Sequence, residues 1–378
     1  MERKTIVVGG GIAGMSCALR LLEANEDFQL ITDSLGGRVM YSPEEKINYG
    51  AYFVMASYVN ARKLLTQTTL INPLHACFHN SSDERFSVLS WHTLTLLPEF
   101  LRFYFAMQEF SKHYEIYKQR CLVMCQKKAL EADLYMADLF SKPASQFIRE
   151  KHFEKVAFDY ISKFAYACTG VSTDSITAMD FLNVSMGILI SIHQFTFDSK
   201  ATADQFHGHL VTDTIIKIES QPGCHTLTGK SGHTYQAENV VVATPAAVTK
   251  ELLNLSEIRD SCKLYVFHVN AVLKQIYQKF ELNLFPATSE IILIARQFDG
   301  SYLIYSRTSE VDLFQVCDSF TLLATKAWDK AMYVQGKAYM EQQYGDGLYV
   351  AGDHNGLGLE PAAISGIYAA NQIIASSR

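Results

Sequence analysis

The 378-residue sequence predicts an α/β protein that joins a parallel-sheet domain to a second, α+β domain. Three observations support this fold class. A β-branched run near the amino terminus leads into a glycine-rich turn and then into a segment with helical periodicity. Aromatic-rich sequence from residue 58 to about residue 200 carries apolar residues at three- and four-residue steps, which indicates helices over residues 94–117, 120–140 and 143–167. Between about residues 255 and 340, apolar and polar residues alternate, which indicates strands over residues 263–275, 291–296 and 302–306.

The charge and cysteine content of the chain narrow its function classes. The chain has 33 Lys and Arg residues against 39 Asp and Glu residues, so its formal net charge is −6. Nucleic-acid binding requires a basic surface, and this balance argues against it. The 8 cysteines include no CxxC pair. We therefore expect reduced thiols rather than a zinc site.

The sequence contains no pattern typical of a membrane span or a secretory signal. The most apolar run, residues 184–192, is far shorter than the ~20 residues that cross a bilayer. The first residues lead directly into a β-branched run and lack the apolar region and cleavage site of a signal peptide. We therefore expect a soluble, cytoplasmic protein without a transmembrane segment.

The glycine-rich turn is the most informative feature of the sequence. Residues 5–8 fit a buried strand, residues 9–14 satisfy the pattern G-x-G-x-x-G, and residues 15–24 carry helical periodicity. A second strand pattern follows and ends at Asp33, nineteen residues after Gly14. The order strand, glycine turn, helix, strand and acid is the dinucleotide-binding fingerprint of a Rossmann-like domain.

Each residue of the fingerprint has a physical task. Gly9 makes the tight turn, Gly11 allows the backbone to approach a pyrophosphate, and Gly14 allows the helix to touch the strand. Ile12 and Ala13 begin the helix, whose free N–H groups and positive dipole end favour phosphates. These five residues are therefore predicted to bind the cofactor.

The end of the second strand departs from the usual pattern. Asp33 is the candidate for binding the ribose hydroxyls, but a glutamate is common at this position. Thr32 is therefore a candidate to share that task. Paired glycines follow, and the second of them, Gly37, precedes Arg38. A guanidinium beside a pyrophosphate forms charge-assisted and often bidentate hydrogen bonds.

After Arg38 and Val39 comes an apolar-x-x-Gly-Ala element at residues 47–53, which contains Gly50, Ala51 and Tyr52. A G-x-G-x-x-G unit followed by GGR-V and this element resembles the flavin-containing amine oxidase superfamily. That superfamily includes monoamine and polyamine oxidases, protoporphyrinogen oxidase and phytoene-type desaturases. The resemblance implies that the cofactor is FAD and that these three residues, with the preceding arginine, lie beside it.

Two later segments extend the resemblance. In this superfamily three separated stretches build the FAD domain. The run around Ile215 resembles the strand whose backbone pairs with adenine, and residues 239–245 resemble the strand that ends beneath the cofactor. Residues 347–353, followed by residues 360–366, resemble the closing motif.

The closing motif implies four further contacts. Gly352 and Asp353 would meet the ribityl and phosphate part of FAD. Ala362 and Ala363 lie at the start of the last helix, whose amino terminus would face the flavin. Its dipole would favour the anionic reduced flavin.

These segments also predict domain boundaries. The FAD-binding domain would comprise residues 1–57, 205–254 and 341–378. The substrate domain, a sheet backed by helices, would comprise residues 58–204 and 255–340. Within it, residues 168–182 loosely resemble a short stretch of the superfamily, with Thr177 in place of the usual serine.

Catalytic residues are less apparent than cofactor-binding ones. No general-base pair, catalytic triad or metal-ligand set stands out, and the pair His207 and His209 is typical of a solvent-facing strand. By resemblance, weak candidates near the flavin are Lys274, Trp328 and Tyr333. Monoamine oxidases tether FAD through a cysteine shortly before the last strand. No cysteine follows Cys317 here, so we expect non-covalent FAD.

The sequence thus predicts an FAD-dependent oxidoreductase. It would transfer a hydride from a C–N or C–C bond of a small, largely apolar or amine substrate to flavin N5. Dioxygen or another acceptor would reoxidise the flavin. Two alternatives remain open: a flavin-binding protein with a redox-neutral (isomerase) or accessory role, and an NAD(P)-dependent dehydrogenase. The chain lacks a second G-x-G-x-x-G near residues 140–200, which argues against a dedicated NAD(P)H domain.

Overall fold

The computed structural model describes residues 2–81, 84–221 and 223–377. The strands are β1 Glu2–Gly11, β2 Phe28–Gly36, β3 Tyr41–Ser42, β4 Ile47–Asn48, β5 Val54–Met55, β6 Thr66–Leu70, β7 Ala76–His79, β8 Arg85–Ser87, β9 Ile192–Thr196, β10 Leu210–Thr212, β11 Ile215–Gln221, β12 Cys224–Gly229, β13 Thr234–Val242, β14 Asp260–Leu273, β15 Leu282–Leu284, β16 Ile291–Arg296, β17 Tyr302–Ser306, β18 Cys317–Gln335 and β19 Leu348–Val350.

The helices are α1 Ile12–Glu23, α2 Trp91–Thr95, α3 Leu97–Cys121, α4 Gln126–Glu131, α5 Leu134–Ser141, α6 Ala144–Glu150, α7 Glu154–Val156, α8 Ser162–Thr169, α9 Ala178–Leu189, α10 Ser199–Gln205, α11 Ala246–Leu253, α12 Gln275–Gln278 and α13 Leu359–Ser376. A π-helical turn, Ala157–Ile161, joins α7 to α8. Shorter 3₁₀ turns lie at Ala61–Lys63, Pro73–His75 and Leu313–Gln315. Among the described residues, no helix is both long and apolar enough to cross a membrane.

The first sheet has the strand order β10-β2-β1-β13-β12-β11, and β19 pairs with β13. Strands β10, β2, β1, β13 and β19 run parallel, with Val7 opposite both Leu30 and Val241. Strands β11 and β12 form an antiparallel extension at one edge. The three predicted sequence stretches therefore meet in one sheet, which confirms the Rossmann-like assembly.

Helices α1 and α13 cover one face of this sheet. Their buried side chains pack against Val7, Leu30 and Val241 of the sheet. Strands of a parallel sheet are apolar on both faces, so helices must cover them. A Cβ at Gly366 would lie 2.0 Å from the carbonyl oxygen of Ala13. Only glycine therefore allows the two helices to cross so closely.

The second sheet has the order β18-β14-β17-β16-β15-β7-β8. Its long strands β14 and β18 pair antiparallel, as do β14 and β17. Buried residues of this sheet share the largest apolar core with helices α3, α8 and α9. The predicted arrangement of a sheet backed by helices is therefore present.

The helical region differs from its sequence pattern in one respect. Apolar periodicity predicts a continuous helix over residues 120–140, whereas α3 ends at Cys121 and α5 begins after Asp133. The Asp133 carboxylate accepts hydrogen bonds from the N–H groups of Tyr135 and Met136. This cap starts a new helix, so the predicted single helix is wrong.

Candidate dinucleotide site

The glycine-rich turn lies where β1 ends and α1 begins. Gly9 has φ +111°, and a Cβ there would lie 2.6 Å from the carbonyl oxygen of Ala243. A Cβ at Gly14 would lie 1.9 Å from the Gly9 carbonyl oxygen, so close backbone packing requires both glycines. At Gly11, by contrast, a Cβ would meet no atom within 4 Å. Gly11 therefore borders open space beside the amino terminus of α1, where an anion is favoured.

Strand β2 extends beyond Asp33, its predicted end, to Gly36. The two candidates for binding the ribose, Thr32 and Asp33, lie in different environments. Residues Leu35 and Gly36 pair with the glycine turn, and Thr32 lies in the bulge before them. The Thr32 hydroxyl accepts a hydrogen bond from Gly10 N–H at 2.9 Å and donates to the Ser34 carbonyl at 2.7 Å. Thr32 thus stabilises the turn itself. Asp33 is exposed, with its carboxylate accepting from the Ser34 hydroxyl.

An ion pair joins the two ends of the chain at the site. Arg38 Nη2 lies 2.6 Å from Asp353 Oδ1, and Arg38 Nη1 donates to the Ala331 carbonyl at 3.0 Å. Burial raises the pKa of the Asp353 carboxyl, but the adjacent guanidinium outweighs burial, so the net shift is downward. Asp353 is therefore ionised at neutral pH. A guanidinium has five N–H donors, so donors remain for a phosphate.

The Gly50–Ala51 element packs directly on Arg38. Ala51 N–H donates to the Arg38 carbonyl at 2.9 Å, and a Cβ at Gly50 would lie 2.0 Å from the same oxygen. The next residue, Tyr52, reaches the second sheet, where its ring lies edge-on to Tyr305 with centroids 6.4 Å apart. This element therefore connects the arginine to the apolar core of the second sheet.

The closing segment is fixed by polar contacts that the sequence did not reveal. Gly352 N–H donates to the Ser365 hydroxyl at 2.8 Å, which ties the end of β19 to α13. Ala362 and Ala363 are buried in the first half of α13. Glu360 has a different role, because its buried carboxylate accepts from the N–H groups of residues 59–61 at 2.9–3.1 Å. It holds that turn rather than facing a cofactor.

Helix α9 clamps the loop between Asp353 and α13. Asp180 accepts from the Leu357 N–H at 3.3 Å and from Arg259 Nη1 at 2.8 Å. Asn183 donates to the Leu357 carbonyl at 2.6 Å. The sequence signal that could have identified this clamp is a pair of polar residues, three positions apart, in a largely apolar helix. Thr177, noted for its resemblance, caps this helix.

His354 is a further residue that sequence reasoning missed. It follows Asp353, is 5% exposed, and lies beside the Ala351 backbone with no hydrogen bond of regular geometry at either ring nitrogen. Burial lowers the pKa of the imidazole to about 4, so it is neutral at neutral pH. Buried polar atoms without partners mark places where a ligand or water is expected. The only sequence signal for this histidine is its position directly after the aspartate of the closing motif.

The predicted adenine strand also lies at this end of the sheet. Ile215, the first residue of β11, is 4% exposed. It belongs to the same apolar cluster as Val8 and Ile31. These two residues face each other at the last regular pair of β1 and β2 before the bulge. Ile215 therefore lies near the glycine turn and the ribose candidate.

The three catalytic candidates are not brought together. Trp328 Nε1 donates to the Tyr49 carbonyl at 2.8 Å, next to the Gly50–Ala51 element. Tyr333 packs in a small separate core, where its hydroxyl accepts from Ala247 N–H at 3.2 Å, and it also lies close enough to Arg38 and Asp353 to interact with their charges. Lys274 directly follows the carboxyl end of β14. The amino-terminal end of β14 pairs with the part of β18 whose Ala331 carbonyl accepts a hydrogen bond from Arg38. At ~3.3 Å per residue, Lys274 lies tens of ångströms from Arg38.

Metal binding has no structural basis in the described residues. No group of three or more His, Cys, Asp and Glu side chains there could hold a metal ion. His209, expected to face solvent, stacks on Phe28 with centroids 4.3 Å apart and bonds the Phe28 carbonyl through Nδ1. His209 is therefore half-buried, whereas His207 is exposed.

Comparisons with known proteins agree with this fold. The NAD(P)-binding Rossmann-like domain family matches residues 7–68. Putrescine oxidase bound to putrescine has a similar structure, with a TM-score of 0.70, 13% identity and coverage of 99% of both chains. Cyclohexylamine oxidase from Brevibacterium oxydans gives 0.66 and 13%, covering 100% of this chain and 98% of that chain. A CLA-producing fatty acid isomerase from P. acnes gives 0.66 and 11%, covering 98% of both.

No curated protein matches the sequence significantly. The fold is a Rossmann-like α/β fold with a second sheet backed by helices. Over nearly its full length it is similar to the fold of putrescine oxidase and cyclohexylamine oxidase, which confirms the predicted fold class.

Proposed function

We propose that the chain binds FAD non-covalently and acts as an FAD-dependent oxidoreductase. The observation that carries this proposal is the Arg38–Asp353 ion pair, formed across 315 residues beside the open space at Gly11. A cation, a helix amino terminus and unobstructed backbone together suit a pyrophosphate. The unpartnered His354 imidazole beside Asp353 further supports a ligand at this place.

The residues that would hold FAD fall into three groups. The pyrophosphate would lie against the glycine turn and Arg38, the adenosine near Asp33 and Ile215, and the flavin end near the closing motif and the Gly50–Ala51 element. The complete proposed set is Gly9, Gly11, Ile12, Ala13, Gly14, Asp33, Gly37, Arg38, Gly50, Ala51, Tyr52, Ile215, Gly352, Asp353, Ala362 and Ala363. Thr32 acts indirectly, through the turn.

The state of the nearby thiol supports the proposal of non-covalent attachment. Cys262 is buried close enough to Arg38 and Asp353 to interact with their charges. Burial raises the pKa of this thiol to about 11, so it is protonated at neutral pH. Nucleophilic attachment requires the thiolate. Cys317 lies at the other end of the β14–β18 ladder, opposite Leu273.

Bound FAD would supply a hydride acceptor, and the chain would supply orientation and a dry pocket. Tyr52 and the buried Tyr305 stand where the two sheets meet, and Phe53 packs against Phe164 nearby. These rings favour a small, largely apolar or amine substrate. The free N–H groups at the start of α13 would stabilise negative charge on the reduced flavin. Dioxygen or another acceptor would complete the cycle.

The alternative function is redox-neutral isomerisation. It is supported by the shared fold with a fatty acid isomerase and by the scattered positions of the catalytic candidates. A nicotinamide dinucleotide would make similar demands on the glycine turn, so dehydrogenase chemistry is the second alternative.

Anaerobic mixing of the purified protein with amines and with unsaturated fatty acids separates these functions. An oxidoreductase bleaches its flavin with the true substrate, as dithionite does, and recovers colour when air is admitted. An isomerase converts the substrate while the flavin shows no net reduction. A protein whose redox chemistry requires added NAD(P) and which holds no flavin would contradict both flavin proposals.

A further inference from the structure

A cleft of about 280 Å³ lies where α1, α13, the 3₁₀ turn Ala61–Lys63 and the end of α3 meet. Small-molecule sites in proteins typically have volumes of roughly 300–1,000 Å³, so this cleft suits a small ligand. The residues that line it are different from those proposed to hold FAD. The cleft is therefore a separate candidate binding site.

One wall of the cleft is a face of α1. Four side chains of this helix line the cleft at steps of three and four residues, which places them on one side of the helix. They are Ser16, Leu19, Arg20 and Glu23. Ile367 and Asn371, about one turn apart on α13, form a second wall. Two packed helices therefore fix the shape of the cleft.

Ser16 is a buried polar group on the α1 wall. It is 3% exposed, and its hydroxyl has no hydrogen-bond partner among the described residues. A serine inside a helix often returns its hydroxyl to a carbonyl of the preceding turn, but this one does not. Buried polar atoms without partners mark places where a ligand or an ordered water is expected. A ligand in the cleft would satisfy this hydroxyl.

Arg20 is oriented by one hydrogen bond. Its Nε donates to Asn371 Oδ1 at 2.8 Å, and Asn371 Nδ2 in turn donates to the Leu122 carbonyl at 2.9 Å. Arg20 Nη1 lies 3.8 Å from Glu23 Oε2, which is longer than a hydrogen bond. The terminal N–H groups of the guanidinium are therefore still available, and such a fork binds a carboxylate with two parallel hydrogen bonds.

The charge of the cleft favours a monovalent anion. Its charged side chains are two cations and one carboxylate, namely Arg20, Lys63 and Glu23. Lys63 Nζ lies 3.3 Å from Glu23 Oε1, so this carboxylate is shared between the two cations. Two positive charges against one negative charge leave a single positive charge in the cleft. One carboxylate neutralises that charge, whereas a dianion such as a phosphate ester would exceed it.

We propose that this cleft binds a small molecule that combines one carboxylate with a compact apolar body. Arg20 and Lys63 would donate to the carboxylate, and the Ser16 hydroxyl would donate to it from the helix wall. Leu19 and Ile367, both half-buried, would contact the apolar body. The cations thus select the charge of the ligand, and the apolar side chains select its body.

Benzoate is a suitable probe, because it consists of one carboxylate on one small apolar ring. Isothermal titration of the full-length, FAD-saturated protein should show saturable binding of benzoate. Benzyl alcohol keeps the ring without the charge, and acetate keeps the charge without the ring. Each should bind at least about tenfold more weakly than benzoate. Absence of saturable benzoate binding, or equal affinity for benzyl alcohol, would overturn the proposal.

Substitutions of the two cations locate the binding. Arg20→Gln should weaken benzoate by roughly ten- to a hundredfold. Lys63→Gln should weaken it by about threefold or more, and this side chain is 48% exposed, so the variant is expected to fold even if Arg20→Gln does not. Arg62→Gln is the matched control, because Arg62 is an exposed neighbour outside the cleft whose guanidinium donates to the Ala56 carbonyl.

Arg62→Gln should retain the wild-type affinity for benzoate. Unchanged affinity in both Arg20→Gln and Lys63→Gln would overturn the proposal, because benzoate would then bind elsewhere. An equal loss in Arg62→Gln would also overturn it, because the effect would then reflect surface charge alone. Flavin content, measured in every variant, reports separately on the proposed function.

Discussion

At the scale of single residues, the site separates glycines that the fold needs from one that it does not. Gly9 and Gly14 meet backbone atoms at distances no side chain tolerates, whereas Gly11 meets none. The sequence predicted all three from their spacing. It could not indicate that the Thr32 hydroxyl would hydrogen-bond within the bulge. That orientation arises because β2 has two more residues than β1 between their paired positions.

Gly11→Val should therefore leave the fold intact and remove the cofactor. Gly11 has φ −76°, which valine adopts without strain, and its Cβ would enter the open space. We expect a melting temperature within a few degrees of wild type and an FAD affinity lowered by at least about a hundredfold, measured by titrating the apoprotein. Gly14→Val, which clashes with Gly9, should instead fail to fold. Full flavin content in Gly11→Val would contradict the assigned pyrophosphate position.

Asp353→Asn tests the ion pair. Losing the charged partner of Arg38 should cost about 1–3 kcal/mol of unfolding free energy and roughly ten- to a hundredfold in FAD affinity. The folded pKa of Asp353 is depressed, so its contribution is complete above the unfolded value of 3.8 and is lost as pH falls through the folded value. Asp33→Asn, at an exposed position, should reduce affinity while leaving stability unchanged. The pair of variants is compared by urea denaturation and FAD titration; equal stability of Asp353→Asn and wild type would argue against the ion pair.

His354 predicts a pH effect of its own. Its folded pKa is about 4 against 6.5 for an ordinary histidine, so between these values the unfolded chain binds the additional proton. Stability should therefore fall as pH drops from 6.5 towards 4, by about 2 kcal/mol at pH 5. His354→Asn should flatten this part of the curve, measured by urea midpoints of the apoprotein at pH 7 and pH 5. Parallel curves for variant and wild type would show that the imidazole is not buried and neutral.

At the scale of elements, short motifs were predicted well and helix boundaries were not. The strands Ile291–Arg296 and Tyr302–Ser306 match their predicted bounds, because each is a short apolar run with turn residues on both sides. The helical stretch over residues 143–167 is instead interrupted at His152, which has φ +55°, and by the π-helical turn. Both interruptions depend on tertiary contacts that periodicity does not encode.

The clamp from α9 onto the closing loop makes a prediction for local stability. Asn183→Leu removes the hydrogen bond to the Leu357 carbonyl at similar side-chain size. We expect amide hydrogen exchange in residues 354–358 to accelerate by about fivefold or more, as one lost buried hydrogen bond implies. Ser185→Ala on the same helix removes a buried hydroxyl that has no partner, so exchange in that loop should not change. Similar exchange in all three proteins would contradict the clamp.

At the scale of the whole molecule, the site depends on contacts between distant parts of the chain. Arg38 and Asp353 are 315 positions apart, and no local pattern states that they meet. The resemblance to the amine oxidase superfamily placed each of them beside the cofactor through ordered motifs at both ends, but it did not predict their ion pair. His354, one position after the last motif residue at Asp353, had no comparable signal. The division into residues 1–57, 205–254 and 341–378 against 58–204 and 255–340 stays a prediction.

The identity and attachment of the bound dinucleotide test the central claim most directly. Purified full-length protein, saturated with FAD and freed of excess, is denatured with acid, and the supernatant and precipitate are analysed by absorbance and mass spectrometry. Non-covalent binding at one site predicts one FAD per chain in the supernatant and a colourless precipitate. Flavin retained in the precipitate, a nicotinamide dinucleotide in its place, or no bound nucleotide after saturation would contradict the account.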